Sequence, residues 1–205
     1  MTNDPVAGRL SKHLSIGFGK LVSWLAVARL IVAHSSLAAE PSWLDISGRE
    51  VDPFATNGDK ALVFIFVKTD CPISNRYAPE VHRLCEKFSR QGVSFWLVHA
   101  DPDTPVEVAR QHAQDYRYAC GVLRDPKHLL VKLCEARVTP EAAVFTPQRR
   151  LVYHGRIDDR FVALGQERAT ATRHDLEEVL GAVLNGKAVA PASTKAVGCT
   201  IAPLP

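Results

Sequence analysis

Residues 61–79 have the sequence ALVFIFVKTDCPISNRYAP, in which an unbroken apolar run leads into a cysteine followed by proline. The run at 61–67 is rich in β-branched and aromatic residues, which is typical of a strand buried on both faces of a sheet. From Ser74 onward the apolar residues recur at helical spacing until Gly92, a residue type that ends helices. The stretch therefore predicts a buried strand, a short connection and a helix, with Cys71 at the junction.

The alternation of strand and helix continues along the chain. Apolar runs with β-forming residues predict further strands at 93–99, 121–124, 142–146 and 151–157. Helical periodicity predicts helices at 105–116, 126–136 and 174–184. Such alternation indicates an α/β fold, in which helices cover both faces of a mixed central sheet.

Length and composition indicate one globular domain with tails. The chain has 205 residues, of which 46% are hydrophobic, and its formal net charge of +3 gives no indication of a nucleic-acid partner. We predict three segments: a targeting or anchoring segment at 1–39, the α/β domain at 40–186, and an irregular tail at 187–205 that carries Cys199.

The segment at 1–39 has the order of a secretory signal peptide. Basic residues precede a mostly apolar stretch at 21–33, and small residues at 36–39 offer a cleavage site. Arg29 interrupts the apolar stretch, so an uncleaved membrane anchor and a cytoplasmic tail are the two alternatives. The favoured interpretation is export to the periplasm, with a mature chain that starts near Glu40.

The position of Cys71 favours chemistry at its sulfur. A cysteine between a strand and a helix lies near the backbone N–H groups of the helix N-terminus, which stabilise an anion. The thiolate is the nucleophilic form of cysteine, so such a position can make a cysteine reactive. Lys68 and Arg76 add positive charge nearby, whereas Asp70 opposes ionisation. The alternative is an inert buried cysteine.

The segment from Cys71 to Pro79 resembles the active-site turn and first helix of the thioredoxin superfamily. In that superfamily a cysteine opens the helix, a second cysteine follows three residues later, and an Ala-Pro pair kinks the helix at the position of Pro79. Thr139-Pro140, just before a predicted strand, resembles the segment that carries the superfamily's cis-proline, which faces the active-site cysteine. The resemblance covers residues 42–184 and implies a thioredoxin-like fold with a substrate groove at Thr139 and Pro140.

Between these two motifs the chain is similar to exported redoxins and to the alkyl hydroperoxide reductase and thiol-specific antioxidant (AhpC/TSA) superfamily. The similarity implies that protein thiols, disulfides or a peroxide are the partners of Cys71, and that a redox partner exists whose identity the sequence does not give. No cofactor is expected, since the chain has no Cys-x-x-Cys-His motif for covalent haem and no paired Cys-x-x-Cys motifs for structural zinc. Ser74 stands where thioredoxins have their second cysteine. Thr69 lies two residues before Cys71, whereas a peroxiredoxin has threonine three residues before its cysteine. Ser74, at the position of the second cysteine, and Arg76, which adds positive charge nearby, are expected to support Cys71.

Without a local partner, Cys71 needs a resolving thiol from elsewhere in the chain, or it works as a single thiol. Cys199 is the first candidate, because the tail is long enough to fold back and Gly198 lets the backbone approach closely. Similar Gly-Cys tails occur in redoxin-like relatives. Cys120 is the alternative resolving thiol. The remaining two cysteines lie on inward helix faces and are predicted to pack in the core: Cys85 and Cys134.

The sequence thus favours a periplasmic thiol-disulfide oxidoreductase or redoxin-type antioxidant protein, with Cys71 and Cys199 as its catalytic residues and no metal site. One alternative is a copper-binding or copper-delivery protein, in which His99 would join the two cysteines as a soft ligand set. In copper-delivering proteins of this fold the two cysteines lie four residues apart, and Asn75 occupies that place here. The other alternative is a non-catalytic module that binds proteins.

Overall fold

The computed structural model describes residues 43–55 and 58–204, so the expected signal peptide or anchor at 1–39 lies outside the described residues. The strands are β1 (Trp43–Asp45), β2 (Glu50–Val51), β3 (Ala61–Val67), β4 (Val93–His99), β5 (Gly121–Arg124), β6 (Val138–Thr139), β7 (Glu141–Phe145), β8 (Leu151–Gly155), β9 (Phe161–Ala163), β10 (Gln166–Glu167) and β11 (Cys199–Thr200). The helices are α1 (Pro72–Ser89), α2 (Val106–Asp115), α3 (Leu129–Leu133) and α4 (Asp175–Leu184). Within the described residues, no helix combines the length and apolar character needed to cross a bilayer.

The central sheet has the strand order β2-β1-β5-β4-β3-β7-β8. β4 runs parallel to β3 and to β5, while β7 and β8 complete one edge in antiparallel fashion and β1 and β2 complete the other. β6 and β11 form a separate antiparallel pair. This mixed sheet confirms the predicted thioredoxin-like α/β class.

The central strand β3 is buried along its whole length and supplies both hydrophobic cores. Val63 and Ile65 point to the face that carries α1 and α4, whereas Leu62, Phe64 and Phe66 point to the face that carries α3. Because successive side chains of a strand point to opposite faces, an unbroken apolar run fills both. Each large side chain buried in this way contributes about 1.5–3 kcal/mol of transfer free energy.

Helix α1 follows β3 after a short connection. Pro72 occupies the first helical turn, where its missing N–H leaves no hydrogen bond unmade, and Pro79 lies inside the helix as the sequence resemblance implied. The apolar face packs on β3 and β4 through residues such as Tyr77, Val81 and Leu84. Gly92, with a φ of 86°, takes the left-handed conformation that turns the chain into β4.

Two predicted elements differ from the structure. The third helix is shorter than 126–136, because both carboxylate oxygens of Asp125 accept hydrogen bonds from the N–H groups of Leu129 and Val131, and His128 adopts a left-handed φ of 54°. The Asp125 carboxylate thus caps the first turn of α3, and a turn at 126–127 precedes the helix. The tail is not wholly irregular, since it contains β11. Strands of two or three residues such as β2 and β11 give no periodic pattern for sequence analysis to detect.

Candidate functional site

Cys71 is the N-cap residue of α1, and its side chain is fully buried. The chain reaches this position by a tight turn, in which the Cys71 N–H donates to the Lys68 carbonyl at 3.2 Å. The Ser74 N–H donates to Cys71 Sγ at 3.4 Å. The sulfur therefore occupies the place where a capping oxygen ordinarily satisfies the first free amides of a helix, and a thiolate there is stabilised by the same amides.

The chain brings Cys199 to Cys71 from the far end of the sequence. β11 pairs antiparallel with β6, with Cys199 opposite Thr139 and Thr200 opposite Val138. The Thr139 carbonyl in turn accepts a hydrogen bond from Cys71 Sγ at 3.1 Å. The predicted fold-back of the tail is therefore present, and Thr139 lies between the two cysteines.

Gly198 is required for this close approach. A Cβ atom added at Gly198 would lie 2.0 Å from the Thr139 carbonyl oxygen and 3.1 Å from the Pro140 nitrogen, both backbone atoms that cannot swing aside. Any side chain at this position would therefore force the tail away from β6. The peptide bond between Thr139 and Pro140 is cis, in agreement with the resemblance to the cis-proline segment.

Hydrogen bonds on both sides of Cys199 hold the tail in place. After Cys199, the Ile201 N–H donates to the Arg137 carbonyl at 2.9 Å. Before it, Thr194 Oγ1 lies 2.6 Å from the Tyr153 hydroxyl and accepts from the Arg156 N–H at 3.1 Å. The tail is therefore attached to β8 as well as to β6.

The buried carboxylate of Glu141 shapes the strand that receives the tail. Its Oε2 accepts hydrogen bonds from the N–H groups of Arg137 and Val138, at 2.7 and 3.1 Å. Glu141 follows the cis peptide bond, so these bonds fix the backbone of the two residues that precede it. The sequence analysis did not identify Glu141 or Thr194. The sequence signal for Glu141 is its charge, which is unusual at the start of an otherwise apolar strand.

The two cysteines differ in acidity. Burial alone would raise the pKa of Cys71, but hydrogen bonds from the Cys199 thiol and N–H and from Ser74 outweigh it and hold that pKa below its ordinary value. Burial, followed by the adjacent Cys71 sulfur, raises the pKa of Cys199 to about 11, and the charge of Lys68 offsets only part of this. Of the two cysteines, Cys71 is therefore the one that loses its proton more readily.

Ser74 lies where a second thioredoxin cysteine would be, and its side chain is almost fully buried. Among the described residues, its Oγ has no hydrogen-bond partner in this arrangement, in which the Cys71 thiol donates to Thr139. Its approach to the sulfur nevertheless lowers the pKa of Cys71. The hydroxyl is therefore a free donor that gains a partner when Cys71 ionises.

Arg76 lies away from this arrangement. Its guanidinium is mostly exposed and forms a 2.8 Å ion pair with Glu167. Arg76 was expected to support Cys71, and its ion pair with Glu167 shows no such contact.

The remaining cysteines lie elsewhere. Cys85 and Cys134 are buried, as predicted, and burial raises the pKa of Cys134 well above its ordinary value. Cys120 faces Cys85, with 3.0 Å between their sulfur atoms. The structure therefore brings Cys199 to Cys71, and it brings Cys120 to a different cysteine.

His99 is the last residue of β4, and its side chain is buried. Its ring packs edge-on against His112 of α2, with 5.3 Å between the ring centroids. Among the described residues, three side chains that could bind one cation lie close together: Glu80, Asp158 and His174. Neither Cys71 nor Cys199 belongs to this group.

A cavity of about 330 Å³ lies next to the tail strand. Its lining includes Lys68, Asp101 and Thr139, and residues 200–203 of the tail form one of its walls. Because the tail is a wall of the cavity, displacement of the tail would widen the space beside Lys68 and Thr139.

Comparison with known proteins identifies the family. The AhpC/TSA family matches residues 36–154, which is more than half of the chain. The chain belongs to the AhpC/TSA family. Among curated proteins, none matches the sequence.

Solved structures place this AhpC/TSA protein among thioredoxin-like folds. An uncharacterized conserved protein from Geobacillus kaustophilus is 25% identical, with a TM-score of 0.70 over 80% of this chain and 90% of that one. A hypothetical protein from Sinorhizobium meliloti 1021 is also 25% identical, with a TM-score of 0.69 over 80% and 91% of the two chains. A secreted Mycobacterium tuberculosis disulfide oxidoreductase homologous to E. coli DsbE shares the fold at 16% identity, with a TM-score of 0.51 over 71% and 95%.

Replacement of Gly198 tests the geometry of the pair. In Gly198→Ala the new methyl group meets the Thr139 carbonyl, so the tail is displaced. The equilibrium constant for forming a Cys71–Cys199 disulfide against glutathione should fall by about 10-fold or more, since moving packed backbone costs on the order of 1–3 kcal/mol. Gly181→Ala is the matched control, because a Cβ at Gly181 meets open space. An unchanged constant in Gly198→Ala would contradict the described tail position.

The buried His99 predicts a specific loss of stability in mild acid. Burial, followed by the charges of His112 and Arg124, lowers the pKa of His99 to about 3 from an ordinary 6.5. Between these two pKa values the unfolded chain binds a proton at His99 and the folded chain does not. The contribution of neutral His99 to the free energy of unfolding is therefore fully present above pH 6.5 and is lost as the pH falls toward 3. By about pH 5 this amounts to about 2 kcal/mol.

Urea unfolding over a series of pH values measures this effect. His99→Gln should flatten the dependence between pH 6.5 and about pH 5, apart from a residual slope from His112, whose pKa burial also lowers. His174→Gln, at an exposed position, should leave the dependence as in the parent protein. An equal slope in His99→Gln and the parent would show that His99 is not held neutral in the fold.

Proposed function

We propose that this AhpC/TSA protein is a two-cysteine thiol-disulfide oxidoreductase, in which Cys71 is the nucleophile and Cys199 is the resolving thiol. The observation that carries the proposal is the β6–β11 pair, which places Cys199 opposite Thr139, whose carbonyl accepts a hydrogen bond from the Cys71 sulfur. The local second cysteine of a thioredoxin is replaced by Ser74, and the tail supplies a thiol in its stead.

The first step follows from the acidity of Cys71. Its thiolate attacks one sulfur of a substrate disulfide, the substrate S–S bond breaks, and the departing thiolate takes up a proton. The product is a mixed disulfide between Cys71 and the substrate. The helix amide at Ser74 and the Ser74 hydroxyl stabilise the attacking thiolate.

The second step uses Cys199. Once Cys71 is in a mixed disulfide, its negative charge no longer raises the pKa of Cys199, while the positive charge of Lys68 remains to lower it. Cys199 then loses its proton and attacks the Cys71 sulfur, which releases the second substrate thiol. Two electrons pass to the substrate, and the protein is left with a Cys71–Cys199 disulfide.

The tail also indicates what kind of substrate fits. Cys71 is fully buried beneath the tail, so a substrate reaches it only after β11 leaves β6. The edge of β6 then exposes its free N–H and C=O groups, and an extended peptide that carries a cysteine can pair with it as β11 does. We therefore propose protein disulfides as the substrate class, in preference to a peroxide.

We propose that the reaction takes place after export. This rests on the order of basic, apolar and small residues at 1–39, which is typical of a secretory signal. The periplasm is an oxidising compartment, where disulfide substrates form and persist. An uncleaved segment would tether the same domain to the membrane.

A thiol-exchange assay with purified full-length protein tests this function. The parent protein should reduce insulin disulfides, with turnover sustained by a small dithiol. Cys71→Ser should lower the rate by at least about 100-fold, because the nucleophile is lost. Cys199→Ser should trap a mixed disulfide with insulin, visible on a non-reducing gel. Cys134→Ala is the matched control for loss of a cysteine outside the pair.

The competing functions give different results in the same experiment. A Cys71→Ser variant that keeps the parent rate would contradict the proposal. Peroxide consumption without disulfide reduction would assign a peroxidase, and inertness toward both would favour the non-catalytic module. Tight binding of copper by the reduced protein, lost in Cys199→Ser, would favour the copper protein, for which the position of His99 gives no support.

A further inference from the structure

A second pair of cysteines lies in contact outside the site. Cys85, in the middle of α1, donates a hydrogen bond to Cys120, which directly precedes β5, and the two sulfur atoms are 3.0 Å apart. A disulfide bond is about 2.05 Å long. A movement of about 1 Å would therefore convert this contact between thiols into a bond.

Rigid elements hold both cysteines where they meet. Cys85 is buried in the core on the face of α1 that packs against the sheet. The chain after Cys120 is fixed by Gly121, where an added Cβ would lie 2.4 Å from the Trp96 ring of β4. The two sulfur atoms are thus presented to each other by packed backbone.

We propose that Cys85 and Cys120 form a structural disulfide that joins α1 to the start of β5, independent of the Cys71–Cys199 pair and of the function proposed above. Together the two pairs account for four of the five cysteines. The fifth, Cys134, is fully buried in the other core and stays a free thiol.

The bond forms by exchange with a disulfide oxidant such as oxidised glutathione. Cys120 is half-buried and therefore reacts first with the oxidant. The hydrogen bond with Cys120, together with burial, raises the pKa of Cys85, so Cys85 keeps its proton during this first step. The Cys120 thiolate attacks one glutathione sulfur, and one glutathione thiolate leaves. Cys85 then loses its proton to solvent and attacks Cys120, which releases the second glutathione. Two protein thiols are oxidised, and one glutathione disulfide is reduced to two thiols.

The consequence concerns the helix that presents Cys71. α1 begins at the capping position of Cys71 and carries Cys85 further along. A bond from Cys85 to Cys120 closes a long chain loop, which restricts the unfolded chain and fastens α1 to the sheet. The reaction at Cys71 can then proceed through reduction and oxidation while the helix stays attached.

Peptide mapping tests the bond. The full-length protein and a Cys71→Ser/Cys199→Ser variant are equilibrated with oxidised glutathione, free thiols are blocked with N-ethylmaleimide, and trypsin is added without reductant. Cleavage after lysine and arginine places Cys85 in residues 84–87 and Cys120 in residues 118–124. We expect these two peptides to be linked in both proteins, with Cys134 blocked. Blocked Cys85 and Cys120, or glutathione retained on Cys120, would overturn the proposal.

Thermal unfolding tests the structural role. In the Cys71→Ser/Cys199→Ser variant the Cys85–Cys120 bond is the one that a reductant removes, and reduction should lower Tm by about 5–10 °C. Adding Cys120→Ser, at a half-buried position, should abolish this sensitivity to reductant, whereas adding Cys134→Ala should keep it. A Tm that does not respond to reductant in the double variant would contradict a stabilising disulfide.

Discussion

The structure of the site depends on one main-chain interaction, the antiparallel pairing of β11 with β6. Sixty residues separate Cys199 from Thr139 in the sequence, and two facing residue pairs bring them together. This pairing places Cys199 opposite Thr139, whose carbonyl accepts from the Cys71 sulfur, and the effects of Cys199 and Ser74 outweigh the burial that would otherwise raise the pKa of Cys71. In the proposed reaction, the acidity of Cys71 and the supply of its resolving thiol therefore have the same origin.

A second constraint is the Thr139 carbonyl, which accepts from Cys71 while the cysteine is a thiol. When Cys71 ionises, its negative charge lies next to the partial negative charge of the Thr139 carbonyl oxygen. That oxygen also loses the S–H group that donated a hydrogen bond to it. The Ser74 N–H, which already donates to the sulfur, the Ser74 hydroxyl and Cys199 lower the pKa of Cys71 and so offset this cost. Such an environment suits the attacking and leaving roles that we propose for Cys71.

Much of this arrangement could be predicted from the sequence, and the failures have physical reasons. The apolar run of β3, the helical spacing after Cys71 and the small Gly198 before Cys199 are local signals, and each corresponds to its place in the structure. The contact of Cys85 with Cys120 and the attachment of the tail at Thr194 depend on packing between distant elements, which no local pattern encodes. Arg76 is close to Cys71 in sequence but faces solvent and Glu167, since neighbouring helix positions point in different directions.

Disulfide mapping of the protein taken from its own compartment, with free thiols blocked at lysis, shows whether Cys199 is the redox partner of Cys71. Trypsin places Cys71 in residues 69–76 and Cys199 in residues 196–205. We expect these two peptides to be linked to each other and to be separated by a reductant. Recovery of both peptides with blocked thiols, from protein exposed to its natural oxidant, would contradict a redox partnership between Cys71 and Cys199.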